Sequence, residues 1–256
     1  MGSLNSYVLL ALALFTFQLL WFVRAVVKKR NDVADVAWGL GFVGLAWLSY
    51  TMGQGSNRAL LVTVLVTVWG LRLAFHIYTR SNGKAEDFRY AQWRKEWKHF
   101  YLRSFVQVFM LQGFFLFCIA WPVLFVNIEG PVSWQVWDVL GAIVWCIGFG
   151  WESIGDHQLT QFKKNPANRG KLMTTGLWRY TRHPNYFGDA VMWWGIFMIA
   201  LAIPMGWMTV LSPLLITYLL RYVSGVPMLE RKYAHHPEFE AYKQKTSVFF
   251  PFFPKS

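Results

Sequence analysis

The chain has 256 residues, a formal charge of +12, 55% hydrophobic and 19% aromatic content, and only 15% charged side chains, which lies outside the usual soluble range. Cys118 and Cys146 are its two cysteines and both fall inside apolar segments, which argues against a disulfide framework. The positive charge does not indicate nucleic acid, because Lys and Arg occur in short blocks between apolar runs instead of along one polar face.

A helix that crosses the hydrocarbon core needs roughly 20 apolar residues. The sequence on that basis predicts an all-α, polytopic integral membrane protein with about seven transmembrane helices in a single transmembrane domain. The spans are Tyr7–Val27, Val33–Met52, Ala59–Tyr78, Ser104–Val126, Trp134–Gly155, Tyr186–Ala202 and Trp207–Val226. The first run lacks the basic flank of a cleavable signal peptide and is expected to stay as helix one. The sixth is short and ends at Ile203-Pro-Met-Gly206, which predicts a tight hairpin with the seventh. All Lys and Arg except Arg58, Arg72 and Arg221 fall in Arg24–Arg30, Arg80–Arg103, Lys163–Arg182 and the tail from Arg231. Short cytoplasmic loops carry such residues, so the N-terminus is expected outside and the C-terminus in the cytosol, with the basic loops facing the cytosol. No internal repeat, low-complexity linker or composition shift marks a second domain.

Ionisable groups at membrane depth cost about 2.5 kcal/mol or more at a helix centre, which makes them functional candidates. Asp32 and Asp35 open the second span, where they could cap the helix or belong to a site. Asp35 and Trp38, three apart, share a face. Arg72 and His76 are four apart on the third span, either to meet a substrate or to reach lipid phosphate. Glu152 and Asp156 are four apart at the expected end of the fifth span, where two acids oppose the helix dipole unless they bind something or pair with Arg179 or Arg182. The turn-rich loop Asn165-Pro-Ala-Asn-Arg-Gly170 is flanked by Lys163, Lys164 and Lys171, a pattern that topology alone could also produce. His235, His236 and Glu238 are too close in sequence and too isolated for a metal site, and none is expected. The Phe249-Phe-Pro-Phe-Phe-Pro254 tail reads as an interfacial anchor or a lid.

The densest polar stretch is Gly176-Leu-Trp-Arg-Tyr-Thr-Arg-His-Pro-Asn-Tyr-Phe-Gly-Asp189, which leads straight into an apolar run. Its Arg182–Asp189 core resembles the signature shared by membrane steroid and sterol reductases and by isoprenylcysteine carboxyl methyltransferases. The whole chain resembles the bacterial, DUF1295 branch of the steroid 5-alpha-reductase superfamily, with Asp35-Val-Ala-Trp38, Trp69-Gly-Leu-Arg72, Arg80, Glu86-Asp-Phe-Arg-Tyr90 and Leu229-Glu-Arg231 in support. The resemblance implies NADPH as cofactor and a lipid-soluble substrate that enters from the bilayer. It divides the chain into substrate-side helices (1–150) and a cofactor-binding half (151–256). It places Asp156, Lys163, Lys171, Tyr180, Arg182, His183, Asn185, Asp189 and Arg221 at the cofactor. Glu152 and Tyr186 join them as neighbours in the same stretch and helix. The early-helix Gln-Glu pair of the steroid enzymes is absent; Asp35 is the nearest substitute and Tyr90 a phenol for the substrate.

Reduction of an alkene conjugated to a carbonyl needs a hydride at one carbon, a donor at the oxygen and a proton at the neighbouring carbon. Asp35, Glu86 and Tyr90 are the candidate catalytic residues for the last two, with Trp38, Arg72 and His76 on the substrate side. The expected activity is an NADPH-dependent membrane reductase of a steroid, sterol-like or isoprenoid enone, in a bilayer and without nucleic acid or an obligate protein partner. The resemblance favours a bacterial inner membrane over endoplasmic reticulum. The alternative is an S-adenosylmethionine-dependent methyltransferase on a prenylated or lipidic acceptor. Asp189 after the glycine, and a tail that reads Leu229-Glu-Arg where those enzymes show a Glu-Glu pair, weigh against it. A non-catalytic lipid-binding scaffold would need neither Asn185 nor Asp189.

Overall fold

The computed structural model describes residues 3–129 and 133–255. The described elements are helical: α1 Ser3–Lys28, α2 Val33–Met52, α3 Asn57–Ser81, α4 Phe88–Glu96, α5 Phe100–Ser104, α6 Leu111–Ile128, α7 Val136–Lys164, α8 Pro184–Ala200, α9 Leu211–Tyr218, α10 Val226–Lys232 and α11 Phe239–Lys245. Among the described residues, six stretches are long and apolar enough to cross a bilayer: Leu4–Lys28, Val33–Met52, Asn57–Ser81, Phe100–Ile128, Val136–Lys164 and Gly206–Arg231. The 17-residue α8 is the expected sixth span, shorter than these but apolar after its first turn. The protein is an all-helical, polytopic membrane protein.

Two compact units divide the chain: residues 1–135 with 200–209, and residues 136–199 with 210–256. In the first, α2 and α3 meet where both lack side chains. A Cβ added to Gly39 would lie 2.5 Å from the Gly70 carbonyl oxygen, so the backbones touch. Phe42, Val62, Trp69, Leu116, Ile119 and Leu124 fill the core around that crossing. Asn127 ties three helices inside it, since its Nδ2 reaches the Ala46 carbonyl (3.0 Å), Ser49 Oγ (2.8 Å) and Thr63 Oγ1 (3.2 Å). The Phe100–Ile128 span is α5 and α6 joined through a π-helical turn at Phe105–Met110.

In the second unit, α7 and α8 run antiparallel along a ladder of glycines seven residues apart. A Cβ on Gly141 would meet the Gly195 carbonyl at 2.5 Å, and one on Gly148 would meet that of Gly188 at 2.6 Å. Gly155 continues the ladder against Pro184 at 3.1 Å. Beside them α8 and α9 form the expected hairpin, linked by Trp194 Nε1 to Thr217 Oγ1 at 3.3 Å.

Two spans differ from expectation. The fifth does not end at Gly155; α7 continues to Lys164 because residues 156–164 hold no Gly or Pro, and Asn165-Pro166 ends it. Glu152 and Asp156 therefore lie inside the helix and not at its C-terminus, so the dipole argument for them falls. The seventh is not one continuous helix: α9 passes into a π-helical turn at Leu219–Val223 and breaks at Ser224-Gly225, and Pro227 sits at the start of α10.

Candidate functional site

In the second unit the glycine ladder decides which polar side chains meet. With no side chains at the seam, the first turn of α8 lies directly on α7, and Asn185 Nδ2 donates to Asp156 Oδ1 at 3.1 Å. Glu152, Asp156, Arg182, His183 and Asp189 are all buried there, and Tyr186 stacks on the His183 ring at 5.5 Å. Just before α8, the signature stretch is strapped down from both sides. Trp178 Nε1 donates to the Gly155 carbonyl (3.1 Å) and the Leu177 amide to Gln158 Oε1 (3.0 Å). From the C-terminal side, the Arg182 amide donates to the Ser247 carbonyl (2.8 Å), Thr181 Oγ1 to that of Phe249 (2.9 Å), and Tyr242 OH to that of Trp178.

Arg182 is the centre of this clasp. Its Nε donates to Glu230 Oε1 at 2.8 Å and its Nη1 to the Thr246 and Lys243 carbonyls at 2.7 and 3.3 Å. The acid beside it is thus Glu230 of α10. His183 Nε2 meets the same Glu230 oxygen at 3.2 Å. Burial lowers the His183 pKa below its ordinary 6.5, with Arg182 and Arg221 adding to the effect and Glu230 opposing it. The ring is then neutral near pH 7: Nε2 donates to Glu230, and Nδ1 is an acceptor. That Nδ1 and Asn185 Oδ1 are buried acceptors with no hydrogen-bond partner among the described residues.

The remaining expected cofactor residues are more open. Lys163 and Lys171 are exposed, Tyr180 is half-buried with its ring edge-on to Phe253 at 5.9 Å, and Arg221 lies over the Tyr222 ring at 4.7 Å.

A second polar cluster lies in the first unit. Tyr90 OH donates to Asp35 Oδ1 at 2.6 Å, and Arg89 Nη2 donates to Asp35 Oδ2 at 2.7 Å while its Nε reaches Asp87 Oδ1 at 2.8 Å. Tyr90 is buried among Ala25, Ala34, Val108 and Phe109. Burial and then the Asp35 carboxylate raise its pKa well above the phenol value of 10.0. Burial works against the Arg89 charge, but Asp35 and Asp87 outweigh it and raise the guanidinium pKa. The chemical result is a permanent cation on a carboxylate that accepts from a phenol which stays protonated.

Neither acid caps α2. Asp32 stands at the N-cap without a side-chain cap bond, because Arg30 takes both its oxygens at 3.0 and 2.7 Å and the Asp87 amide takes one at 3.2 Å. Glu86 is likewise engaged, by Arg94 (2.9 and 3.0 Å) and by the Asn31 amide (2.6 Å), and forms a clasp of its own instead of joining Asp35 and Tyr90. Trp38 lies edge-on to Phe42 at 5.1 Å, and Arg72 and His76 are half-buried one turn apart on α3.

Sequence reasoning thus brought Asp35 to Tyr90 and Asp156 to Asn185. It passed over Arg89, Gln158, Thr181 and Glu230 as site residues. The signals existed for two of them: Arg89 sits inside Glu86-Asp-Phe-Arg-Tyr90 and Glu230 inside Leu229-Glu-Arg231, each a charged residue in a stretch already singled out.

With this geometry in place, a family model described as "Protein of unknown function (DUF1295)" matches residues 20–246. An uncharacterized protein of Schizosaccharomyces pombe is 25% identical over 96% of this chain and 80% of its own length. The Delta(14)-sterol reductase of Gallus gallus is 30% identical over 43% of this chain and 17% of its own. A probable O-methyltransferase of Ustilaginoidea virens is 44% identical over 18% of this chain and 16% of its own. No solved structure matches the chain.

Proposed function

The chain belongs to the DUF1295 family, and from that premise we propose that it is a membrane reductase which uses NADPH to reduce the conjugated alkene of a lipid-soluble enone, of steroid, sterol-like or isoprenoid class. Membership and the likeness to a sterol reductase point to a sterol-reductase-like membrane function. The finer reading is carried by one observation: the two unpartnered buried acceptors, His183 Nδ1 and Asn185 Oδ1, in the seam that also buries Glu152 and Asp156.

Acceptors and carboxylates in a buried seam suit a ligand rich in donors, such as ribose hydroxyls and a nicotinamide carboxamide. Phosphates need cations, and Lys163 stands exposed in the last turn of α7 and Lys171 in the loop after it, with Arg221 at the π-helical turn after α9. These residues fit NADPH, and we assign them to hold it together with Tyr180, Tyr186 and Asp189. Arg182 and His183 hold the C-terminal segment through Glu230, so for Arg182 we propose a positioning role. NADPH would supply the hydride when bound. Tyr90 is the group assigned to the carbonyl oxygen of the enone: burial and Asp35 keep its proton in place, and its single O–H would turn from Asp35 Oδ1 to that oxygen when the substrate binds. Asp35 orients the phenol and Arg89 balances the carboxylate charge. Trp38, Arg72 and His76 are assigned to the substrate, and Glu86 to support of the 86–90 segment. A cytosol-facing site belongs to the same reading and rests on the distribution of Lys and Arg, while the bacterial inner membrane rests on the family resemblance alone.

The test is the thermal stability of detergent-purified protein with NADPH and with S-adenosylmethionine, since a ligand bound to the native state raises its melting point. NADPH should stabilise the wild type and leave Asn185→Leu unmoved. Stabilisation by the methyl donor alone would reverse the assignment in favour of the alternative to which the O-methyltransferase likeness belongs.

A further inference from the structure

The Phe249-Phe-Pro-Phe-Phe-Pro254 tail takes no part in the chemistry above, yet the fold fastens it beside the signature stretch as a short strap. Thr181 and Ser247 form a parallel bridge, the Phe252 amide donates to the Tyr180 carbonyl at 3.0 Å, and the Lys255 amide donates to that of Lys245 at 2.9 Å. Phe249 is the peg: it is 1% exposed, packs with Ala190 and Val226, and stands edge-on to Phe187 at 6.3 Å. The next three phenylalanines go the other way. Phe250, Phe252 and Phe253 are 58, 67 and 86% exposed, although the backbone that carries them is tied on both sides. Those ties leave the strap no freedom to swing as a lid. Its depth follows from its neighbours. Phe250 lies 6.2 Å from Phe187, in the first turn of α8, and Phe187 stands edge-on to Trp151 of α7 at 5.3 Å. Trp151 shares one stripe of α7 with Ile143, Ile147 and Ile154, all three exposed, and in a bilayer such a stripe faces lipid. The rings of Trp151, Phe187 and Phe250 thus lead from that stripe to the strap, at the depth where α8 leaves the apolar layer. The rim is cationic. Arg179, next to Tyr180, and the joined pair Lys245 and Lys255 are exposed, and neither 157–188 nor 241–255 contains an Asp or Glu.

We propose that the strap 247–255 is an interfacial anchor: Phe250, Phe252 and Phe253 insert into the headgroup and acyl boundary of the leaflet beside the first turn of α8, and Arg179, Lys245 and Lys255 meet anionic phospholipid headgroups there. Apolar rings inside a ring of cations are the composition of a segment that lies in the plane of the interface. Cations without a neighbouring acid favour an anionic surface, and that attraction fades within a Debye length, so it acts only because the strap already sits at the membrane boundary. The anchor fixes more than itself. Phe249, Thr181 and the Arg182 amide tie the strap to the stretch that enters α8, so the leaflet holds that stretch from outside as Trp178 and Leu177 hold it from α7. Cofactor and substrate play no part in this attachment, which stands whether or not the chain is a reductase.

The test uses the full chain in phospholipid nanodiscs, with Cys118 and Cys146 replaced by serine and a nitroxide label on Phe252→Cys or Phe253→Cys. Ile147→Cys gives the lipid reference and Lys171→Cys, in the exposed loop after α7, the aqueous one. Relative to a water-soluble nickel chelate, dissolved oxygen should collide with both strap labels several times more often than with the Lys171 label. A ratio equal to that at Lys171 overturns the anchor. Protection from both reagents overturns it too, because protein would then cover the rings, whether a second copy or the chain itself. Phosphatidylglycerol added to phosphatidylcholine discs should deepen the strap labels, and Arg179→Gln/Lys245→Gln/Lys255→Gln should cancel that gain; equal depth in both discs overturns the pairing with anionic headgroups. A measurement without labels guards against their perturbing the strap. Trypsin should cut after Lys245 more slowly in discs with phosphatidylglycerol than without. Phe252→Ser/Phe253→Ser, which keeps the Phe249 peg, should be cut several times faster than the wild type in either disc, and an equal rate overturns the proposal.

Discussion

At the scale of single residues, Tyr90 and His183 show how burial sets protonation in opposite senses. Tyr90 is held as a phenol by burial and Asp35. Phe fills the same space among Ala25, Ala34, Val108 and Phe109, so Tyr90→Phe should fold. Under the reductase reading it should lower enone-dependent NADPH oxidation by about a hundred- to a thousandfold, the usual effect of losing one donor to a developing oxyanion. NADPH-induced stabilisation should be unchanged; equal turnover in the variant would remove Tyr90 from the chemistry. For His183 the sign follows from its lowered pKa. The folded protein keeps the ring neutral, while the unfolded chain takes up a proton near 6.5. Its contribution to stability is therefore complete above that value and lost as pH falls through the lower folded pKa. Glu230, Arg182 and Arg221 face the ring, so the comparison must be with a variant that leaves them in place. His183→Gln should show a smaller drop in melting point between neutral and mildly acidic buffer than the wild type. Both residues were visible in the sequence inside polar stretches that stood out on their own, 86–90 and 176–189. Their partners were less so, because Asp35 and Tyr90 are 55 positions apart, and His183 and Glu230 are 47 apart. No local spacing rule reaches that far.

At the scale of elements, the seam between α7 and α8 is the feature on which the cofactor-side residues depend. The seven-residue spacing of Gly141, Gly148 and Gly155 places one backbone on the other and so brings Asn185 to Asp156. Gly148→Leu should overpack it and cost about 1–3 kcal/mol or more, read as a lower melting point together with loss of NADPH-induced stabilisation. Gly150→Ala is the control: nothing lies within 4 Å of its added Cβ, so it should be silent on both readouts. Spans were legible because about 20 apolar residues in a row leave few alternatives, and α2 runs over Val33–Met52 as expected. The ends of α7 and the break after α9 were not, since charged residues such as Lys163 and Lys164 end an apolar run without ending a helix. The π-helical turns leave no hydropathy signal at all, because an extra residue in the ladder changes geometry and not composition.

The Arg182 clasp is one of the ties that hold the C-terminal segment within its unit, beside Thr181 to Phe249 and Tyr242 to Trp178. Arg182 joins Glu230 of α10 to the carbonyls of Lys243 and Thr246, and its amide joins Ser247. Arg182→Ala would leave Glu230 with the His183 ring but without its cation, at a cost of about 3 kcal/mol, the low end for a broken buried pair. Limited proteolysis should then cut the segment from Phe239 onwards faster than in the wild type, and equal cleavage would show that the segment is held by other means.

At the scale of the whole molecule, the positive-inside distribution makes a prediction that no internal contact can make. The turn Gly53–Ser56 between α2 and α3 carries no Lys or Arg, and the loop after α7 carries Arg169 and Lys171. The two should lie on opposite sides of the membrane, the first outside and the second in the cytosol. Gln54 and Lys171 are both exposed and can each carry a single cysteine once Cys118 and Cys146 are replaced by serine. In sealed cells a membrane-impermeant maleimide should label Gln54→Cys at once and Lys171→Cys only after permeabilisation. The reverse pattern would invert the topology and place Lys163 and Lys171 away from cytosolic NADPH, so the cofactor assignment would fail with it. Labelling of both positions in sealed cells would instead put an odd number of crossings between the two loops out of reach. An even number of crossings would then be required where α3, the Phe100–Ile128 span and α7 supply three, and three crossings are what carry the chain from the outer turn to the cytosolic loop.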